Sequence, residues 1–305
     1  MKRLSARITV HDITSEVRRE LAALGFAVDP FRSRDLDCPE RFSYVQIFKV
    51  DEAQLRSPAL QDWIRRRNAN ITVLGHMEYT AQDLAQAAWL DMLPNNSALG
   101  YPQPDNPEDG EPDYLDLTYD RNAPGYCPRC NMYKVQRAPF RIKSEPRAKA
   151  GAFGLHWIFD EIFVRPEVYE AVFRPFGLDY WPVLHHRSGR PLETVLQLKI
   201  DKISESPRAL AAMMGGWVET CPVCHRTKYP PHFPGPPPGF LGPPGPWPVF
   251  KSQEHFGSEY SARRGVIVSN DLYRAIIQHK LKGLEFQPLA DAPYDFATLA
   301  PIPQP

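Results

Sequence analysis

Polar and apolar positions alternate from Arg7 through Ile8, Thr9 and Val10 to His11, which is the period-two signature of a half-buried strand. Val17, Leu21 and Leu24 then recur at helical spacing. Asp12 or Thr14 is placed to cap that helix and Gly25 to stop it. Phe26-Ala27-Val28 and Phe42 to Val50 read as further strands. Glu52 to Arg67 reads as a helix with Leu55, Leu60 and Ile64 inward. Ile71 to Leu74 is a short strand, and Thr80 to Leu90 a helix capped by Thr80. Residues 1–93 thus predict a small N-terminal α/β domain.

The pattern changes at Pro94. Residues 94–124 hold prolines, glycines and asparagines together with Asp105, Glu108, Asp109, Glu111, Asp113, Asp116 and Asp120, and no basic residue appears before Arg121. This composition predicts a solvated linker, with an acidic surface for a basic partner as the second reading. From 125 to 290 the chain repeats itself. Ile162-Phe163-Val164-Arg165-Pro166-Glu167-Val168-Tyr169-Glu170-Ala171-Val172-Phe173 aligns with Val266-Ile267-Val268-Ser269-Asn270-Asp271-Leu272-Tyr273-Arg274-Ala275-Ile276-Ile277. Each copy reads strand, cap, helix, glycine stop (Gly177, Gly283) and strand. The fold class expected is α+β: the N-terminal unit plus a pseudo-duplicated strand–helix–strand region, followed by a tail over 291–305.

Composition adds two constraints. Apolar residues make up 43% and charged residues 24% of the 305, and 36 basic side chains balance 36 acidic ones. This charge balance argues against a general nucleic-acid binder, and no apolar run approaches a membrane span. The 33 prolines are about twice the usual share and concentrate between Pro230 and Pro248, which predicts an extended loop.

The chemistry lies in the cysteines. Cys127-Pro128-Arg129-Cys130 recurs as Cys221-Pro222-Val223-Cys224. Two thiolates separated by two residues span one edge of a metal tetrahedron, and a second pair completes it. One zinc held by Cys127, Cys130, Cys221 and Cys224 would staple the two repeats. That accounts for a gap of about 90 residues, far longer than in a compact zinc ribbon. Four thiolates leave no open position, so the zinc is expected to be structural. Reduced, paired cysteines imply a cytoplasmic location, and Cys38 is left as a buried or neutral thiol. His225, next to Cys224, is a neighbour of the site and could otherwise replace a cysteine as ligand. The residues after each knuckle read as strands, not as the activating helix of a redox motif.

Little points to catalysis. There is no Walker loop, dinucleotide fingerprint, G-x-S-x-G elbow or H-E-x-x-H. His185-His186 reads as an exposed turn, and Asp160-Glu161 as a solvated strand entry. His156, His232 and His255 lack ligand spacing. Trp157, Phe159, Phe163, Tyr169, Phe173, Phe176, Tyr180 and Trp181 are core residues except where exposed, in which case they would anchor a protein partner.

The two knuckles, the unit IFVRPEVYEAV, the intervening LETVLQLKI and the closing VIVSNDLYRAIIQHKLKGLEFQPL resemble the double-CXXCG-motif proteins, a paralogous bacterial group prominent in myxobacteria. The resemblance covers 125–289. It implies an immunity-type role, in which a protein binds and neutralises a toxin delivered by a neighbouring cell. The family glycine after each second cysteine is Asn131 and His225 here; asparagine tolerates a left-handed backbone better than histidine does.

The expected function is that of a zinc-stabilised cytoplasmic binding protein that is not an enzyme, with a protein partner such as a cognate toxin. The alternative is a zinc-ribbon nucleic-acid binder using Arg129, Lys134, Arg137, Arg141, Lys143, Arg226 and Lys228. A third class, an enzyme built around His185, His186 and Asp160, has less in its favour.

Overall fold

A computed structural model describes residues 3–10, 13–27, 31–34, 42–67, 71–108, 110–147, 149–210, 218–229, 237–257 and 261–290. Cys38, His232, the start of the proline-rich loop and the 291–305 tail lie outside these residues. The fold is mixed α+β, with far more strand than helix, and it divides into two compact units. Among the described residues no helix is long and apolar enough to cross a membrane.

The first unit comprises β1 (Arg3–Val10), α1 (Ser15–Ala23), β2 (Phe31–Arg34), β3 (Phe42–Asp51), α2 (Glu52–Leu55), α3 (Pro58–Arg66) and β4 (Ile71–Glu78). Its sheet has the order β2-β3-β1-β4 and is antiparallel throughout. This is the split β-α-β arrangement of ferredoxin-like folds. Thr14 caps α1 by accepting from the Val17 N–H. The single helix expected over 52–67 is broken, because Pro58 cannot continue α2 and instead opens α3 behind the Ser57 cap. Ile8, Val10, Val17, Leu21, Leu60, Trp63 and Ile64 form the core. Glu20 ties the two helices together, accepting from Trp63 Nε1 at 2.8 Å and from Arg67 through both of its oxygens. The Arg67 hydrogen bonds hold the Glu20 carboxyl below its ordinary range, against the opposing effect of burial.

The second unit begins at Ala81, earlier than the boundary expected at 93. It contains α4 (Ala81–Gln86), β5 (Trp89–Pro94), α5 (Tyr114–Thr118), β6 (Arg141–Ile142), β7 (Ala152–Leu155), β8 (Ile158–Val164), α6 (Pro166–Val168), β9 (Asp179–His185), β10 (Pro191–Lys199), β11 (Glu219–Thr220), β12 (Thr227–Lys228), β13 (Val249–Lys251), β14 (Val266–Ser269), α7 (Asn270–Gln278) and β15 (Leu284–Pro288). The helix expected over 80–90 stops at Gln86. The next residues form β5, which lies between β14 and β15. Asn270 Nδ2 donates to the carbonyls of Leu84 and Ala87, fastening α4 to the start of α7.

Two larger sheets, β6-β9-β10-β8-β7 and β13-β14-β5-β15, build this unit beside the two-stranded β11-β12 hairpin. In each, two strands joined through a helix flank one strand antiparallel to both. The first helical segment starts as α6, widens into a π-turn over Tyr169–Phe173 and tightens over Arg174–Phe176. Pro175 lacks the N–H that an α-helix needs at that point. Tyr169 meets Tyr180 edge-on at 4.9 Å, and Tyr273 of α7 meets Phe286 edge-on at 5.0 Å. The strand residues Leu90, Met92, Ile162, Val164, Leu198, Val266 and Val268 share one core with the helical residues Val172, Phe173, Leu272 and Ile276. Gly283, at φ +106°, stands where an added Cβ would strike the Ala152 carbonyl oxygen.

The segment read as a solvated linker is part of this unit. Leu99 and Tyr119 belong to a core with Phe140, Phe153 and Phe163. Arg121 bonds Asp113 and Asp116, and Lys143 pairs with Asp105. Asp113 and Asp116 close a capping box on α5. Glu108 and Glu111 remain exposed. The described part of the proline-rich loop is packed as well: Phe240 and Trp247 lie against Phe250 of β13.

Arg208 carries a fully buried ion pair to Asp91 of β5 (3.1 Å) and donates from Nε to the Pro238 carbonyl. Removing one partner of such a pair strands the other charge in the interior. Asp91→Ala should therefore lower the unfolding free energy by about 3–5 kcal/mol. The double change Asp91→Leu with Arg208→Met should cost much less, and chemical denaturation of the two variants measures both.

Candidate metal centre

Each Cys-Pro-x-Cys turn is built by the same backbone bonds. The Asn131 N–H donates to the Cys127 carbonyl at 2.8 Å, and the His225 N–H to the Cys221 carbonyl at 2.9 Å. The Cys127 N–H donates to the Met132 carbonyl and the Cys221 N–H to that of Arg226, closing each loop. The proline after the first cysteine fixes φ at the start of the turn. Both turns end in the left-handed region, at φ +55° for Asn131 and +57° for His225. Asn131 is steadied through its side chain, since Tyr126 donates its hydroxyl proton to Asn131 Oδ1 and accepts from Arg121. The second turn sits at the tip of the β11–β12 hairpin.

The turns meet sulfur to sulfur. Cys127 Sγ lies 3.9 Å from Cys221 Sγ, Cys130 Sγ lies 3.7 Å from Cys224 Sγ, and all four fall within 4.8 Å of one another. These separations exclude disulfides, whose sulfurs lie about 2.05 Å apart. They match a tetrahedron with metal–sulfur bonds of about 2.3 Å, whose edges are about 3.8 Å. Cys127, Cys130 and Cys221 are buried and Cys224 partly so, packed with Met132 and Ala262. Arg226 seals the seam: its guanidinium bonds the Gly125 carbonyl and lies over the Tyr133 ring at 4.6 Å.

The thiols differ in acidity. Backbone hydrogen bonds from Cys224 and Val223 lower Cys221 to about 6, against the effect of burial. Burial and the neighbouring sulfurs push Cys130 up to about 12, and burial raises Cys224. One thiolate is ready, and others resist ionising beside it unless a cation compensates. The set can hold a metal ion. His225 follows the last ligand but does not belong to the cluster.

Other residues singled out in the sequence are placed differently. Asp160 and Glu161 are buried, not solvated. Glu161 pairs with Lys251 at 2.5 Å and accepts from Gln197, while Asp160 accepts from the Arg264 N–H. Burial pushes the Asp160 carboxyl up, but Lys251 and Lys134 outweigh this and hold it below the ordinary range. Burial raises Glu161 despite Lys251. His185 bonds Ser188 in the turn after β9, and neither it nor His186 shares the cleft that Asp160 lines. His255 is buried, accepts from the Tyr133 N–H, and is lowered by desolvation and by Arg264 to about 3, so it is neutral. Most of the basic residues near the knuckles are engaged within the chain. Lys228 is fully buried against Glu219, Lys143 meets Asp105, and Arg137 bonds the Asp116 carbonyl.

No protein-family model matches the chain, and no curated protein is significantly similar to it.

Two outcomes follow from this geometry. Cys221→Ser should abolish metal retention and unfold the second unit at temperatures where the parent is intact, read by metal analysis and circular dichroism. His225→Gly should relieve a left-handed side-chain position and raise stability by up to about 1 kcal/mol, whereas His225→Val should lower it by about 1–2 kcal/mol. Thermal unfolding of the metal-loaded variants checks both.

Proposed function

We propose that this chain is a zinc-stabilised binding protein of the double-CXXCG kind that works by protein–protein contact and neutralises a toxin in the cytoplasm. The zinc assignment follows from donor chemistry. Four thiolates at tetrahedral spacing suit a d¹⁰ ion without geometric preference, and they leave no position for substrate or water. The role is therefore structural.

A duplicated architecture is the reading that best accounts for the second unit. The strand orders β7-β8-β10-β9 and β13-β14-β5-β15 correspond. So do Gly177 and Gly283, the Tyr169–Tyr180 and Tyr273–Phe286 contacts, and the two cysteine turns. The zinc would join the halves where their turns meet.

The observation that carries the binding role is the aromatic tip of the β7–β8 hairpin. Leu155 pairs with Ile158, so His156 and Trp157 form a two-residue turn. Trp157 holds φ +66° and is 48% exposed. A bulky side chain in the left-handed region is costly, and such strain gathers at functional positions. Tyr101 stacks on His156 at 4.5 Å and meets Trp157 at 4.6 Å, with Tyr114 at 5.8 Å on the same indole. Phe159, next along the strand, is also exposed. Tryptophan and tyrosine presented on a rigid turn are the residues that dominate interface energies. Exposed Glu108 and Glu111, in the segment that supplies Tyr101 and Tyr114, would steer a basic partner. The nucleic-acid alternative is weakened because most of the basic residues it needs are committed to internal bonds.

The test begins with the gene adjacent to this one. If it encodes a toxin, co-purification of the pair should be lost in Trp157→Ala, with affinity falling by about 30-fold or more and the melting temperature unchanged. Unaltered affinity in that variant, or no toxicity from the neighbouring gene product, would remove the proposal.

A further inference from the structure

Beside the first cysteine turn the second unit contains a cleft of about 300 Å³, within the range of small-molecule sites. Its walls come from the Tyr133–Gln136 strip, β8, β10, Lys251, His255 and Arg264. Part of its polar lining is satisfied internally. Glu161 is closed off by Lys251 and Gln197, and Gln197 exchanges amide bonds with Gln136. Arg264 donates its guanidinium to the carbonyls of Ser252 and Gln253.

Two polar groups are left over, beside a wall that includes the ring of Tyr119, whose own hydroxyl is fully buried. Lys134 lies over the Tyr119 ring at 4.9 Å, with no hydrogen bond or ion pair among the described residues. Asp160 uses Oδ2 for the Arg264 N–H, and its Oδ1 makes no hydrogen bond among them. Lys134 and Asp160 feel each other's charge, yet no ion pair closes the space between them. A ligand that engages both must offer an acceptor to Lys134 and a donor to Asp160. A simple anion would leave Asp160 opposing it, and a simple cation would leave Lys134 opposing it. Trp181, Ile200, Val135 and Ile203 supply apolar surface in the same cleft, the last two at 52% and 37% exposure.

We propose that this cleft binds a small zwitterion, an α-amino acid with an apolar side chain. Its carboxylate meets Lys134, its ammonium meets Asp160, and its side chain lies against Trp181 and Ile200. The site is independent of the toxin partner and of the aromatic tip.

Calorimetry on the full metal-loaded chain tests it with four probes: L-phenylalanine, L-leucine, 3-phenylpropionate and phenethylamine. At least one amino acid should bind saturably, and each analogue that keeps only one charge should bind at least about tenfold more weakly than L-phenylalanine. Lys134→Met should weaken amino-acid binding by about tenfold or more. Absence of saturable binding by both amino acids up to about 10 mM overturns the assignment. So does equal binding of either single-charge analogue, or unchanged affinity in Lys134→Met. The comparison of probes on the parent chain decides the matter even where a variant folds poorly.

Discussion

The convergence of four sulfurs is the contact on which the two cysteine turns and the segments around them depend. It closes a loop between residues 94 apart in sequence, and little else around it supplies cohesion. The β11–β12 hairpin has two residues per strand, and the apolar packing at the turns amounts to the cysteines with Met132 and Ala262. Such pieces bury too little surface to order themselves, so the binding energy of a metal held there would act as folding energy. Asn131, Tyr133 and Ala262 also line the zwitterion cleft, so the cleft takes part of its wall from the metal turn.

Charge is distributed inward to an unusual extent. Arg208, Lys228 and Lys251 each have a carboxylate at 3.1 Å or less, and all three side chains are nearly or fully enclosed. Buried pairs add little net stability over apolar packing, but they penalise any arrangement that separates them. They therefore fix which loop lies against which strand: Arg208 on β5, Lys251 of β13 on β8. Neutral overall charge conceals this arrangement, because most of the basic residues that look available near the knuckles are matched within the molecule.

Local signals in the sequence translated directly into structure. The Cys-Pro-x-Cys spacing, the caps at Thr14 and Ser269, and the glycine stops at Gly25 and Gly177 depend on neighbours a few residues away, and each sits where its chemistry requires. What was illegible depends on distant partners. Trp89–Pro94 is too short to establish a period of two, and its hydrogen-bonding partners come near the end of the unit. Asp160 and Glu161 read as solvent-facing because Lys251 is 90 residues away. The acids of 94–124 concealed a segment whose few apolar residues, Leu99 and Tyr119, are enough to dock it. The cleft left no motif at all, since Lys134 and Asp160 come from separate stretches.

The position of β5 has a consequence for biosynthesis. It is translated well before both of its lateral partners, β14 and β15, with the apolar side chains of Leu90 and Met92 already made. Throughout that interval it is an unpaired apolar strand, open to association with other nascent chains. Productive maturation then hinges on a late, long-range insertion, so expression at reduced translation rate or with holdase chaperones should matter more for this protein than for one assembled from sequential hairpins.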